Sequence, residues 1–145
     1  MAKKNKNFYS RFTLKNIEII EQNLNVSHFK ESDLDFNLEA TQSINIQEST
    51  VQVVFSVKAE SKNSEECYVH IAVANIFKVE TLTDFITNGD IEFPKEYVHL
   101  LNELSLSHVR AITMMILSNT PLNMIMIPLV DFSKLEAIRF RENHQ

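Results

Sequence analysis

The sequence predicts an α+β fold: a four-stranded antiparallel sheet followed by a long helix, a proline-containing apolar connector and a short C-terminal helix. Three observations predict it. Most of residues 12–79 alternate apolar and polar side chains, the period of two that gives a strand one dry face and one wet face. Residues 95–117 change to a helical period. The stretch after them, NTPLNMIMIPLVDF at 119–132, carries large apolar residues from Leu122 to Phe132 and prolines at 121 and 128. Each proline lacks an N–H and clashes with the preceding turn, so this connector is no helix interior. It also falls short of the roughly 20 apolar residues that span a bilayer, so no stable membrane insertion is expected.

The strands follow in order. The first segment, Phe12 to Val26, changes phase along its length: Phe12 and Leu14 are even, Ile17 and Ile19 odd, Ile20 and Leu24 even again. A one-residue bulge would repair this, because one slip moves every later side chain to the other face. Residues 26–33, VSHFKESD, read as a crossover loop. The second segment places Leu34, Phe36, Leu38, Ala40, Ile44 and Ile46 on even positions, and the third Val51, Val53, Phe55, Val57 and Ala59 on odd ones. The QEST link between them suits a hairpin. The fourth runs from Cys67 to Val79 and has apolar residues on both faces, which marks it as a central strand.

TLTDFITN at 81–88 reads as a short helical turn and DIEFPKE as a loop, with Pro94 at the start of the long helix. At about 100° per residue, Tyr97, Leu100, Leu101, Leu104, Ala111, Ile112 and Met115 share one stripe, with His108 inside it. A second band holds Val98, Leu106, Val109 and Ile116. One stripe serves the sheet and the second band asks for another partner, most simply a second copy of the chain. A second helix, from Ser133 to Phe140, carries Leu135 and Ile138 on its apolar side, and the RENHQ tail is expected to fray.

A chain of 145 residues fits one domain, 1–145, with 1–8 and 141–145 as flexible ends. The net charge of -5 argues against a nucleic-acid binder, and Lys3, Lys4 and Lys6 read as a solvated end. The basic start is followed by no apolar run, so no signal peptide is read and a cytoplasmic protein is expected. With one cysteine no intrachain disulfide forms, and Cys67 reads as a small core residue. The single glycine, Gly89, excludes phosphate loops of the GxGxxG and GxxxxGK[ST] types, and no cofactor is expected.

The residues of chemistry do not cluster. His28, His70, His99, His108 and His144 lie apart, and His99 and His108 fall about 180° apart around one helix, so they do not chelate together. No HExxH or CxxC is present, so no metal site is expected. Asp33 with Asp35 and Glu65 with Glu66 sit beside turns or on alternate strand positions and read as wet surface. No catalytic residue is assigned and the chain is not read as an enzyme.

The run VRAITMMILSNTPLNMIMIPLVDFSKL at 109–135 resembles the SecB family of export chaperones, through Arg110, Pro121, Pro128, Val130, Asp131, Phe132 and Leu135. The hairpin at 51–77, ending in Ile76-Phe77, is similar too, and the likeness spans about residues 8–140. Three departures stand out. Ser118-Asn119-Thr120 replaces the family's glycine after the helix, Leu129 is an extra residue or a substituted proline, and Ala74-Asn75 replaces a Gly-Gly pair.

The resemblance implies a homotetramer, a dimer of dimers packed through the long helices, with Val98, Leu106, Val109 and Ile116 at the interface. It also implies an ATP-independent holdase for unfolded or pre-secretory polypeptides. Its apolar grooves would be lined by Phe29, Leu34 and Phe36, then Leu122, Met124 and Met126, then Leu135 and Ile138. Typical members pass clients to the SecA motor through acidic positions on the outer sheet face; Glu21 matches one, whereas Asn25 and His70 stand at others. Some members instead guard an antitoxin in a toxin–antitoxin system, which is the alternative client. A reading of another class is a small-ligand-binding α+β domain of the NTF2-like group, but that fold starts with its helices and here the strands come first.

Overall fold

Alternation becomes pairing in each strand segment. The computed structural model describes residues 12–27, 29, 34–80, 82–128 and 141–142. Within it β1 (Phe12–Leu24), β2 (Leu34–Asn45), β3 (Thr50–Ser61) and β4 (Cys67–Val79) form an antiparallel sheet in the order β1-β4-β3-β2. The even residues of β2 pair with the odd residues of β3, and these with the odd residues of β4, so all three apolar sets share one face. β4 lies between β1 and β3 and is covered on both sides, with Ala72 and Ala74 buried on the far face.

β1 needs two bulges where one was expected. Its register shifts between Leu14 and Asn16 and again between Ile19 and Glu21, leaving Lys15 and Ile20 as the extra residues. Each reverses the side-chain phase. Phe12 and Leu14, then Ile17 and Ile19, then Leu24 therefore stand opposite Val79, Phe77, Asn75, Val73 and Val69, all on the core face of the sheet.

Beyond β4 a 3₁₀ turn at Leu82–Phe85 leads into a small hairpin of β5 (Ile86–Thr87) and β6 (Asp90–Ile91), where the end of a helical turn and the start of a plain loop were expected. Asn88 and Gly89 at its tip have φ of 54° and 84°. Positive φ at both central residues is what a two-residue hairpin turn demands, and Asn-Gly supplies it cheaply. Phe85 and Phe93 of this region pack on Tyr97 and Phe12, with ring centroids of Phe85–Phe93 at 4.8 Å and Phe12–Tyr97 at 5.0 Å.

The long helix, α1 (Lys95–Leu117), has the predicted bounds. The Pro94 carbonyl accepts from Tyr97 N at 2.9 Å, and Glu96 places a negative charge in the first turn, where the helix dipole favours it. Its other end closes without a glycine. Ser118 keeps a helical φ of -57°. The Ser118 hydroxyl donates to Met115 O at 2.8 Å and the Thr120 hydroxyl to Leu117 O at 2.9 Å, so side chains satisfy two of the last four carbonyls.

Two further expectations change. Arg141–Glu142 form β7, which pairs in parallel with Ser43–Ile44 at the β2 edge, where a frayed tail was expected. The second helix expected at Ser133–Phe140 lies outside the described residues.

α1 packs over β3 and β4, but on a different face from the stripe read off the sequence. Tyr97, Leu101, Asn102, Ser105, Leu106, Val109, Thr113 and Leu117 are its buried residues, whereas Leu104, Ala111 and Met115 are exposed. The core beneath it is split in two. One cluster joins Phe55, Val57, Ile71 and Val73 to Leu106, Val109 and Leu117; the other joins Ile44, Val51, Val53 and Phe77 to Tyr97 and Leu101. Polar side chains cross the helix–sheet interface between them. Gln42 Nε2 donates to Asn102 Oδ1 at 2.7 Å, both residues being buried. Across the sheet Gln42 stands opposite Val53, and Val53 opposite Asn75, whose Oδ1 lies 2.6 Å from His108 Nδ1.

Within the Gln42–Asn102 pair, Gln42 Oε1 and Asn102 Nδ2 find no partner among the described residues. Asn102→Leu alone should destabilise the protein by about 1–3 kcal/mol, because it strands the whole Gln42 amide in the core. Adding Gln42→Leu should recover most of that loss, since two apolar groups of similar shape leave nothing unpaired. Urea unfolding midpoints of both single variants and the double variant, at unchanged m-value, measure the difference.

Candidate functional site

The apolar connector is where this chain departs most from an ordinary surface loop. The helix end hands it a defined direction: the Thr120 hydroxyl, already bonded to Leu117 O, also accepts from Leu122 N at 3.1 Å. Asn123 N then bonds Thr120 O at 3.2 Å and Ile125 N bonds Leu122 O at 3.0 Å, so two successive turns precede Met126. These turns sort the side chains. Leu122, Ile125 and Ile127 point inward and are buried with Phe55, Val57 and Val73. Met124 and Met126 point outward, each 61% exposed. Just before the connector, Met114 and Met115 of α1 are exposed as well, at 53% and 75%.

The expected groove residues therefore separate. Leu122, with 0% exposure, belongs to the core and lines no groove, because its turn aims it at the sheet. Phe29, Leu34 and Phe36 are half-buried against the same cluster, Phe29 with its ring edge-on to Tyr68 at a centroid distance of 5.2 Å. Met124 and Met126 are open. Leu135 and Ile138 lie outside the described residues.

The expected oligomer band also separates. Leu106 and Val109 are spent inside the chain on the sheet, and only Val98 and Ile116 keep partial exposure. The reason is that the buried face of α1 includes the polar Asn102, Ser105 and Thr113, which turns the helix away from its most apolar side. An uncovered apolar strip appears elsewhere. Because α1 sits over β3 and β4, Leu14, Ile17 and Ile19 of β1 remain exposed on the core face of the sheet, and Leu104, Ala111 and Met115 remain exposed on the helix. β1 is also an edge strand thirteen residues long with no neighbour on its outer side among the described residues. Long apolar edges of this kind invite pairing with another chain.

His108 stands among those helix residues. The Asn75 amide nitrogen approaches Val53 O at 3.3 Å and Val73 O at 3.5 Å, which leaves Oδ1 to accept from His108 Nδ1–H. The neutral ring is thereby held in one tautomer, and burial holds its pKa below the usual 6.5. Cys67 donates its thiol to Val69 O at 3.3 Å, and burial, with Glu60 nearby, pushes its pKa up, the reverse of what a nucleophile needs. Among the described residues no three His, Cys, Asp or Glu side chains gather in a metal-holding group, and no helix is long and apolar enough to cross a membrane. Glu21 stands opposite Ala72 on the sheet face away from the helix, with Asn23 bonded to its carboxylate.

A solved structure with the same arrangement is the SecB-like chaperone Rv1957 of Mycobacterium tuberculosis, in complex with a ChAD peptide from the antitoxin HigA1. The likeness covers 85% of this chain and 92% of that one, at a TM-score of 0.55 and 13% sequence identity. The fold is SecB-like. At that identity the likeness is one of architecture, and no family model and no curated protein matches the chain. What the SecB-like fold contributes here is the frame on which the outward methionines and the bare β1–helix strip are displayed.

His108 links this frame to pH. A histidine whose folded pKa lies below its unfolded value contributes stability that is complete above the unfolded pKa and is lost as pH falls through the folded one. Thermal unfolding midpoints should therefore fall as the pH is taken from about 7.5 to below 6.5, and His108→Gln, which can still donate to Asn75, should remove that part of the slope.

Proposed function

We propose that this protein is an ATP-independent chaperone that holds unfolded polypeptide segments on an apolar surface built from Met124 and Met126, with Phe29, Leu34 and Phe36 as half-buried neighbours. The observation that carries the reading is the sorting of the connector: its Leu and Ile side chains fill the core while its methionines face outward. Unbranched, polarizable thioethers adapt to apolar partners of varied shape, which suits a client surface better than rigid branched side chains. Burial of one methionine side chain contributes about 1.5–3 kcal/mol, so a few such contacts hold a chain reversibly without nucleotide. The protein acts by binding rather than by catalysis. A SecB-like fold already seen with an antitoxin peptide supports a polypeptide client.

The same reading includes a homotetramer, a dimer of dimers, with the bare strip of Leu14, Ile17, Ile19, Leu104 and Met115 in place of the Leu106–Val109 band as the helix-side contact. For the client itself, Asn25 and His70, which stand where the resemblance implies acidic residues, favour a dedicated antitoxin over precursors handed to SecA.

Dilution of a chemically unfolded client into the purified protein without ATP, followed by light scattering, tests the proposal. Scattering should fall and saturate near one tetramer per client. Met124→Asp with Met126→Asp should weaken suppression several-fold with the unfolding midpoint nearly unchanged, as for exposed substitutions generally. Leu122→Asp should instead unfold the protein, because it buries a charge in the core. Unchanged scattering at several-fold excess over client would refute general holding. In sedimentation velocity, Ile17→Glu with Met115→Glu should give a species smaller than the wild-type oligomer.

A further inference from the structure

Every methionine among the described residues is exposed. Met114, Met115, Met124 and Met126 are 53%, 75%, 61% and 61% accessible, while the neighbouring Leu117, Leu122, Ile125 and Ile127 are buried. The connector thus places its oxidisable apolar side chains outward and its inert ones inward. A thioether on a solvent-exposed side chain is open to two-electron oxidants, and the product is polar.

From this sorting we infer that Met124 and Met126 form an oxidation site that switches client holding off, a regulation that rests on the proposed client surface. The chemistry requires only a peroxide or hypochlorous acid. A sulfur lone pair attacks one oxygen of hydrogen peroxide; an S–O bond forms, the O–O bond breaks, the proton on the attacked oxygen passes through solvent to the departing hydroxide, and the thioether is oxidised to a sulfoxide while the peroxide is reduced to water. The S–O group is a strong acceptor that an apolar client segment leaves unpaired, so burying it opposes the contact. The fold survives the change, because the oxidised atoms face solvent and the core beneath is built from Leu and Ile, which do not react. Methionine sulfoxide reductases reverse the step, which makes it a switch rather than damage. Cys67 does not share this role: it is half-buried, and its raised pKa keeps it as the less reactive thiol.

The test uses the purified full-length protein and hydrogen peroxide. Peptide mass spectrometry follows sulfoxide at each methionine and any oxidation of Cys67, while light scattering of the unfolded client follows holding. Sulfoxide at Met124 and Met126 should appear together with a loss of suppression, about tenfold more protein being needed for half-suppression, as expected for one unpaired polar group at a contact. Treatment with both methionine sulfoxide reductases and a thiol reductant should restore suppression, and the unfolding midpoint should stay constant throughout. Complete sulfoxide formation at both positions with unchanged suppression would overturn the inference, as would a loss that the reductases do not reverse. If the untreated protein shows no suppression at all, the holdase reading itself fails, an outcome separate from oxidised and untreated protein holding the client equally well.

Discussion

The seating of the long helix on the sheet governs most of what this chain presents to its surroundings. That seating is not a single dry interface. Two apolar clusters lie beneath α1, and between them Gln42 reaches Asn102 while Asn75 reaches His108. Apolar contacts alone are non-directional and tolerate sliding. Directional bonds between particular side chains do not, so the polar contacts select one register of helix on sheet, although half-paired groups such as Gln42 Oε1 make that register costly.

Two surfaces follow from that register. With Asn102, Ser105 and Thr113 turned inward, Leu104, Ala111 and Met115 are left outside. Because α1 rests mainly on β3 and β4 and meets β1 through Tyr97 against Phe12, the residues Leu14, Ile17 and Ile19 that the bulges bring to the core face of β1 stay bare beside it. The helix therefore creates the strip by where it sits. A helix placed one strand further across would have covered it.

The connector depends on the same helix through its end. Hydroxyls of Ser118 and Thr120 close the helix where a left-handed glycine commonly would, and Thr120 also starts the turn that carries Leu122 inward. From that point the turns dispose Leu122, Ile125 and Ile127 to the core and Met124 and Met126 to solvent. Packing and binding are thus divided between residue types within one short segment. The dependence runs one way: the methionines can change while the fold stands, whereas the buried residues hold the backbone that aims them.

The sequence by itself determined the four strands, their faces, the helix bounds and the apolar connector. A period of two assigns every side chain of a strand to one face, and the changes of phase in β1 announced bulges even though one was expected and two occur, at Lys15 and Ile20. The Asn88-Gly89 hairpin was legible in the same local way, since that dipeptide is a strong turn signal, although residues 81–88 read as a helical turn. Only the tertiary structure decided which face of α1 is buried. Counting apolar residues pointed to Leu100, Leu104 and Met115, because nothing in a sequence says that Asn102 has Gln42 waiting in a distant strand. Likewise Leu122 and Met124 are equally apolar as letters, and only the turn begun at Thr120 makes one a core residue and the other a surface one. Local periodicity is written in neighbouring residues, whereas burial is settled by partners far away in the chain.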